Sequence, residues 1–481
     1  MPTLRCQGCG REVPGDSPSP WRCPASGDGG DHVLLRTLPA APGAGFPTGG
    51  DDGNPFLRYR KLTLAHALAL SRGLTDREFA SMVEDLDAAV ARIDGHGFTE
   101  TPFGRSAALS DGLGFGAAGG VLVKDETGNV SGSHKARHLM GLALVAEVQL
   151  RTGVVSDPAP RLAIASCGNA ALAAAVIAAA WGRGLDVFIP TDANPRVVAR
   201  LQQLGASVQI CKRDPGVPGD PCYHAFLRAV ERGALPFCCQ GSDNGLTIEG
   251  GETLAWELVS VLLRERLSLD RLFVQVGGGA LASACVQGFR DAALLGVPIA
   301  LPRLHPVQTR GAFPLRRAWE KVAARLAARL GIDNRLVDTQ AIENQPVDSQ
   351  HTDAALAEAI RARASLPEGR RALDEELGFA AAHRAQFMWP WETAPHSVAH
   401  GILDDETYDW LAIVRGTLES GGFPVLVSEE LLLEAHALGG RAGFQADATG
   451  TAGLAGLLAL RREGTVGSGE AVAVLFTGRQ R

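Results

Sequence analysis

A lysine in this chain has a setting that suits nucleophilic chemistry. The segment before Lys135 begins apolar at residues 121–123, becomes polar and rich in glycine, and turns helical at about His134. This order predicts a strand, a loop and a helix start, with the lysine at the junction. In a pocket there, desolvation would lower the pKa of the lysine and give a neutral amine that attacks carbonyl groups. Taken alone, the pattern favours a solvated lysine in the first turn of a helix, but three further stretches favour the reactive interpretation.

Two of these stretches are turns that directly follow predicted apolar strands. Residues 162–166 have the sequence LAIAS and precede CGN, and residues 272–276 have the sequence LFVQV and precede GGGA and a predicted helix. Consecutive glycines let backbone N–H groups point into a turn, and the helix N-terminus adds a positive dipole end, which suits a phosphate. Alone, a glycine triplet is weak evidence, because close packing of a helix on a strand selects the same run. The candidate residues of the two turns are Ser166, Cys167, Gly168, Asn169, Gly277, Gly278, Gly279 and Ala280.

The third stretch is the end of the chain, where Thr477 follows a predicted strand at residues 471–476. Between Lys135 and this strand, short apolar strands alternate with helical segments through short loops. Such alternation predicts a parallel sheet of the doubly wound α/β kind. Ligands of these sheets bind at the carboxyl ends of the strands. The lysine, the two turns and the threonine all fall at such ends, so we expect them to form one site.

Composition narrows the class of protein. With 481 residues the chain has room for two to four domains, and 46% hydrophobic and 21% charged residues are typical of a soluble globular protein. A net charge of -7 without a basic stripe argues against nucleic acid as the main partner. The longest apolar run, residues 170–181, is too short to cross a bilayer, and no signal-peptide pattern opens the sequence. We therefore expect a cytoplasmic protein without a membrane partner.

The first 35 residues contain a Cys-x-x-Cys pair and a third cysteine at the spacing of a zinc ribbon. Such a turn presents two thiolates to one tetrahedral zinc ion. The usual second Cys-x-x-Cys pair is missing, so the alternative is a degenerate ribbon that has lost its metal. The candidate ligands are Cys6, Cys9, Cys23 and, in the fourth position, His32 or, failing that, Asp28 or Asp31.

One lysine, one phosphate turn, one asparagine loop and one hydroxyl at a strand end together suit pyridoxal 5'-phosphate, a phosphorylated aldehyde cofactor. The blocks KDETGNVSGSHKAR (124–137), SCGN (166–169) and GGGA (277–280) occur in that order. In these blocks the chain resembles the fold type II pyridoxal-phosphate enzymes, the tryptophan synthase β-like family, over about residues 55–481. The resemblance implies that Lys135 binds the cofactor covalently, that Asn169 bonds its ring hydroxyl and that Thr477 faces its pyridine nitrogen. It also implies phosphate binding by the turn Gly277, Gly278, Gly279 and Ala280, and binding of the substrate carboxylate by Ser166 with Cys167 and Gly168.

Within that family the layout is most similar to threonine synthase, with two departures. His134 stands where threonine synthases usually carry an aromatic residue, and the segment GSDNGLTIEG (241–250) lacks their usual arginine. Arginine suits bidentate phosphate binding, so its absence leaves Lys124 and Arg137 as the candidate partners of a phosphorylated substrate. The SDNG segment is also similar to a segment of serine/threonine dehydratases. Asp447 stands where many members carry glutamate, so the C-terminal block diverges as well.

The resemblance implies a lyase that acts on a hydroxy or O-phospho amino acid by elimination or elimination followed by replacement. The alternatives are a serine/threonine ammonia-lyase, an amino-acid racemase on the same fold, and a non-catalytic regulator that keeps the cofactor fold. The resemblance also implies a homodimer that binds a small amino-acid substrate.

We expect two doubly wound α/β domains and a small N-terminal segment. The predicted boundaries are a cysteine ribbon at residues 1–38, a Pro/Gly/Asp-rich linker at 39–54, a large cofactor-binding domain at 55–120 and 246–481, and a smaller domain at 121–245 that carries the lysine and SCGN loops. The alternation of apolar strands and helical segments becomes irregular between about residues 312 and 400. That region is interpreted as an insertion that shapes the substrate site, with a surface helical hairpin as the alternative.

Overall fold

The computed structural model describes residues 2–38, 45–48, 53–156, 160–213, 219–332 and 350–480, with the backbone alone for Gln350 and His351. Most of the predicted linker at residues 39–54 therefore lies outside the described residues. No helix of the described ranges is long and apolar enough to cross a membrane.

The strands in these ranges are short, and most are buried. In chain order they are β1 (Thr3–Cys6), β2 (Glu12–Pro14), β3 (Leu34–Arg36), β4 (Phe103–Arg105), β5 (Gly120–Asp125), β6 (Leu162–Ala165), β7 (Leu185–Pro190), β8 (Ser207–Cys211), β9 (Leu235–Pro236), β10 (Arg271–Gln275), β11 (Arg303–Thr309), β12 (Val425–Val427) and β13 (Ala471–Phe476).

Helices separate most of the strands. They are α1 (Pro55–Arg58), α2 (Leu64–Ser71), α3 (Asp76–Asp94), α4 (Ala107–Gly112), α5 (Lys135–Arg151), α6 (Asn169–Trp181), α7 (Pro195–Gln203), α8 (Pro221–Glu231), α9 (Thr247–Glu265), α10 (Ala280–Leu294), α11 (Pro314–Arg329), α12 (Gln350–Ala364), α13 (Pro367–Ala382), α14 (Trp410–Ser420), α15 (Glu429–Arg441) and α16 (Ala452–Arg462).

Two mainly parallel sheets confirm the mixed α/β architecture. The larger sheet has the order β12-β11-β10-β13-β5-β4, and all its pairs are parallel except β4 with β5. The smaller sheet has the order β8-β7-β6-β9 and is parallel throughout. The central strands are almost continuously apolar because helices cover both faces. A third, antiparallel sheet of order β2-β1-β3 forms the N-terminal segment.

The predicted start of the smaller domain at residue 121 is wrong. The strand β5 pairs with β13 in the larger sheet, with Gly120 opposite Ala471 and Val123 opposite Val474. After the lysine loop, α5 leaves that sheet and packs on both α6 and α9. Lys135 therefore lies where the chain crosses from the larger sheet to the helices beside the smaller one, which an apolar strand pattern cannot reveal.

The region from about residue 312 to 400 belongs to the main core over its described part. Leu315 and Trp319 of α11 and Leu373 of α13 are fully buried there. Trp389 and Trp391 both lie against the guanidinium of Arg317, with centroid distances of 4.2 and 4.4 Å. The alternative of a surface hairpin is therefore wrong for α11 and α13.

We expect Gly141→Ala to destabilise the protein, because α5 and α9 cross at this glycine. A Cβ on Gly141 would lie 2.8 Å from the Gly250 Cα, a contact between two backbones that cannot relax by rotating a side chain. The expected loss is about 1–3 kcal/mol in the free energy of unfolding, measured by urea denaturation. Gly378→Ala is the matched control, since Gly378 is an exposed α13 residue with open space around it, and should stabilise by about 0.5–1 kcal/mol. Equal effects of the two substitutions would contradict the crossing.

Candidate active site

The loop before Lys135 is tied to the end of the last strand. Ser133 pairs with Gly478, and both the backbone N–H and the Nδ1–H of His134 donate to the Thr477 carbonyl, at 3.2 and 3.1 Å. Burial and the nearby charge of Lys135 hold the pKa of His134 well below its usual value, so the ring is neutral. Lys135 itself opens α5 with a half-buried side chain. The structure thus places the lysine beside the threonine.

The asparagine loop meets the same strand end. A Cβ on Gly478 would lie 2.6 Å from the Asn169 Nδ2, so only glycine permits this approach. Thr477 is 2% exposed, and its hydroxyl accepts a hydrogen bond of 2.5 Å from the Gln275 Nε2, which leaves its own proton free to donate. Lys135, Asn169 and Thr477, distant in the sequence, are therefore brought together.

The glycine turn is the next neighbour, because β10, β13 and β5 are adjacent in the sheet. Gly279 has a φ of +100°, and a Cβ on Gly278 would lie 2.9 Å from the ring of Tyr408. The Thr407 hydroxyl donates to the Gly277 carbonyl at 2.9 Å, so the segment 402–409 covers the turn. Small residues are needed here for close approach, as a backbone cradle for an anion requires.

A carboxylate already lies at this turn. Burial raises the pKa of Asp404 to about 6, while the charge of Lys135 and a hydrogen bond from the Gly278 N–H oppose the rise. The turn therefore accepts an anion, and the lysine lies within electrostatic reach of it. Burial also raises the pKa of Asp409 to about 7; its carboxylate accepts the Gly241 N–H at 3.2 Å.

The residues around Lys135 fit a polar group held beside it. Ser133 Oγ and His138 Nε2 are fully buried and have no hydrogen-bond partner among the described residues. Burial and the charge of Lys135 lower the pKa of His138 to about 3, so that nitrogen is unprotonated and can accept. Buried polar atoms are normally paired, so these two indicate a site for a ligand with hydrogen-bonding groups.

The SCGN loop lies between Gly478 and Asp404, and the space that these residues and Lys135 surround is called the cleft below. Ser166, Gly168 and Asn169 are half-buried and Cys167 is exposed. Although Cys167 has exposed surface, the surrounding protein partly desolvates its thiol and raises its pKa, and the charges of Asp192, Asp220 and Asp404 add to the rise. The loop is thus close to Asp404 across the cleft, and this part of the site is rich in carboxylates.

The structure corrects the prediction that Lys124 and Arg137 bind a substrate phosphate. Both side chains have no exposed surface. The ammonium of Lys124 pairs with Glu257 and donates to the Thr101 carbonyl at 2.8 Å, and the guanidinium of Arg137 pairs with Glu126 at 2.8 Å and with Glu257 at 2.7 Å. Burial is the largest influence on the pKa of Glu126, but the charges of Arg137 and Lys124 outweigh it and lower that pKa to about 2. Glu257 is more than 100 residues away, so the local motif could not show that these cations are already neutralised.

Three residues of the site were missed by sequence reasoning: His138, Asp404 and Asp409. His138 lies one helical turn after the lysine, which was a usable signal. The two aspartates follow the family-like segment SVAHGI, but nothing in the sequence shows that this segment returns to the glycine turn.

The N-terminal segment holds a second constellation. The sulfur atoms and a ring nitrogen of Cys6, Cys9, Cys23 and His32 all lie within 4.8 Å of one another. The Cys9 and Cys23 sulfurs are 3.7 Å apart, and the Cys6 sulfur is 3.5 Å from the His32 Nδ1. A tetrahedral zinc with Zn–S bonds of about 2.3 Å requires S–S edges of about 3.8 Å, so the spacing suits that ion.

The remaining candidates for the fourth ligand have other partners. The Asp28 carboxylate is 2.8 Å from the His32 Nε2, the contact that usually orients a metal-binding histidine. The Asp31 carboxylate instead accepts the Trp410 indole N–H at 3.2 Å. His32 is therefore the fourth residue of the tetrad.

Comparison with known proteins adds independent information. The model of the family described as pyridoxal-phosphate dependent enzyme matches residues 96–368. The L-serine dehydratase of Saccharomyces cerevisiae is 28% identical over 206 residues, which are 41% of this chain and 58% of the yeast protein. The threonine synthase of Methanosarcina acetivorans is 27% identical over 206 residues, which are 41% of this chain and 45% of that protein. The chain thus spans about half the length of these curated relatives.

Among solved structures, a threonine deaminase from the organism abbreviated T.th. matches 83% of this chain and 98% of its own, with a TM-score of 0.52 and 22% sequence identity. At that identity the likeness concerns the fold.

We expect Arg137→Met to cost about 3–5 kcal/mol in the free energy of unfolding, because it leaves Glu126 and Glu257 buried without this partner. The matched control is Arg151→Met on the same helix, where the arginine pairs with Glu147 at the surface and should contribute at most about 1 kcal/mol. Urea denaturation measures both. A loss for Arg137→Met no larger than for the control would show that the buried charges do not anchor the lysine helix.

Proposed function

Because the chain belongs to the family of pyridoxal-phosphate dependent enzymes, we propose that it is a lyase that eliminates the hydroxyl group of a hydroxy amino acid. The observation that carries the proposal is the meeting of Lys135, Asn169, Thr477 and the glycine turn at one cleft. The similarity to L-serine dehydratase supports the same reaction class.

The residues present fit the cofactor. The turn Gly277–Ala280 would receive its phosphate at the N-terminus of α10, Asn169 would bond its ring hydroxyl, and Lys135 would hold its aldehyde carbon. When bound, pyridoxal phosphate supplies an electron sink for negative charge at the substrate Cα. The Thr477 hydroxyl, which accepts from Gln275, would be a neutral partner for the ring nitrogen and would not strongly drive its protonation, which would favour loss of a β-substituent over transamination.

The chain's own groups have distinct roles in this proposal. Ser166 and the backbone of the SCGN loop bind the substrate carboxylate and orient the Cα–H bond. The freed amine of Lys135 removes that proton. The hydroxyl group leaves as water, and the proton that Lys135 has taken up supplies the second hydrogen of that water molecule.

The carboxylates of the cleft favour a hydroxyl over a phosphate as leaving group. Lys124 and Arg137 are committed to buried glutamates, while Asp192 and Asp220 lie close enough to Cys167 to raise its pKa. A second phosphate would meet this negative charge. A serine/threonine ammonia-lyase is therefore favoured over a threonine synthase. A racemase and a non-catalytic regulator remain the alternatives that an assay separates.

Two further proposals concern the oligomeric state of the protein and its location in the cell. The resemblance to the family supports a homodimer. The free, buried thiols of Cys211, Cys222 and Cys285 suit a reducing compartment and support a cytoplasmic location.

We expect the purified protein to release ammonia and a 2-oxo acid from serine or threonine, and no phosphate from O-phosphohomoserine. Lys135→Ala should abolish both this turnover and the visible absorbance of the covalently held cofactor. The control is Lys61→Ala, at an exposed lysine, which should change neither. An unchanged spectrum of Lys135→Ala would exclude this lysine. Formation of the opposite enantiomer without ammonia would instead identify a racemase, and no turnover of any substrate by protein with bound cofactor would favour the regulator.

A further inference from the structure

Buried charges join the N-terminal segment to the rest of the protein. Arg36, the last residue of β3, has a side chain that is 4% exposed and an Nε 2.9 Å from a carboxylate oxygen of Glu249. Its guanidinium also pairs with Glu252 and Asp291, and all three acids are buried on α9 and α10. Burial raises the pKa of Glu252 to about 8, although Arg36 opposes the rise. Without Arg36, three carboxyl groups would lie in the interior without this cation.

A second set of contacts between the N-terminal segment and the rest of the protein lies directly beside the candidate metal ligand His32. The backbone N–H of Asp31 donates to the Ala381 carbonyl at 2.8 Å, and its carboxylate accepts the indole N–H of Trp410 at 3.2 Å. Arg384 lies 3.4 Å from the same carboxylate. The segment that carries His32 is therefore fixed to α14 and to the end of α13.

The residue next to Trp410 connects this contact to the candidate active site. Asp409, next to Trp410, donates its backbone N–H to the Gly278 carbonyl at 2.9 Å and accepts the Gly241 N–H at 3.2 Å. A Cβ on Gly279 would lie 3.3 Å from the Asp409 Cβ. A continuous path of bonds and hydrogen bonds thus runs from His32 through Asp31, Trp410 and Asp409 to the glycine turn.

The N-terminal segment is also held by apolar packing, because Leu4 and Leu34 are fully buried in a core cluster that includes Phe56 and Leu64, whereas Cys9 in the turn after β1 is exposed. Its strands β2 and β3 have three residues each, and segments of this size usually need a metal or disulfides to fold. All nine cysteines are free, so no disulfide links Cys9 to Cys23, and a metal ion is the cross-link that the spacing of the four ligand atoms allows. A tetrahedral ion bound by Cys6, Cys9, Cys23 and His32 would fix both the turn between β1 and β2 and His32, the residue next to Asp31.

We propose that the N-terminal segment binds one zinc ion through Cys6, Cys9, Cys23 and His32, and that this ion is required to hold the cofactor at the glycine turn. Zinc fixes Asp31 and Arg36, and these residues position Trp410, Asp409 and α9 against the turn and the lysine helix. The segment is then a part of the catalytic unit and not an appended domain. The cofactor half of this inference rests on the proposed placement of the cofactor at Lys135, whereas the zinc half does not.

The test compares the full-length protein with Cys9→Ser. Cys9 is exposed, so this substitution removes a ligand without opening a cavity. We expect one zinc ion per chain in the wild type and none in the variant, measured by mass spectrometry of the metal. Titration of pyridoxal phosphate, followed by absorbance, should show an affinity weaker by about 5- to 150-fold in the variant, the usual range of coupling between two sites. Cys211→Ser, outside the tetrad on β8, is the control that should change neither quantity.

A second, reversible experiment on the wild-type protein distinguishes the effect of zinc loss from misfolding of the variant. Zinc is removed from the wild-type holoprotein with a chelator and then restored, while the absorbance of the bound cofactor is followed. Release of the cofactor and its recovery with zinc would support the proposal. A wild-type protein that binds no zinc would overturn the metal site, and zinc loss with unchanged cofactor affinity would overturn the coupling. Zinc binding in a protein that never takes up pyridoxal phosphate would instead contradict the placement of the cofactor.

Discussion

Four buried charges fix the place where the strand, the loop and the helix around Lys135 meet. Lys124 and Arg137 are neutralised by Glu126 and Glu257, and none of the four side chains has exposed surface. Because the two signs balance, the group is tolerated in the interior, where a single charge of this kind would not be. It joins β5, the lysine loop, α5 and α9, so the direction in which the chain leaves the larger sheet is determined, and the lysine is directed to the cleft.

The cleft is assembled by sheet order. Since β10, β13 and β5 lie side by side and parallel, the glycine turn, Thr477 and the lysine loop end at one edge. Asn169 comes from the other sheet and reaches this edge because Gly478 has no side chain. The segment 402–409 then covers the glycine turn and contributes Asp404. Backbone hydrogen bonds hold the lysine loop to the end of β13 and Asp409 to the glycine turn.

The electrostatic character of the site follows from the same arrangement. The cations that the lysine block supplies are used for the internal charge group, whereas aspartates from several separate segments line the cleft. The glycine turn therefore lies against one carboxylate, and the surroundings of the SCGN loop carry negative charge that disfavours a further anion there. The N-terminal segment reaches this site through Asp31 and Arg36, so a part of the chain that carries no catalytic residue still bears on its geometry.

The sequence by itself indicated the α/β class and pointed to the lysine, the two turns, the terminal threonine and three of the candidate metal ligands, with the fourth left open between His32, Asp28 and Asp31. These are local patterns, because strand periodicity, glycine runs and Cys-x-x-Cys spacing are set by neighbouring residues. Only the tertiary structure decided that Lys124 and Arg137 are internal, that β5 belongs to the larger sheet, and that Asp404 and Asp409 return to the glycine turn. The physical reason is that the charge state and exposure of a side chain depend on partners such as Glu257, which pack beside it from distant parts of the chain.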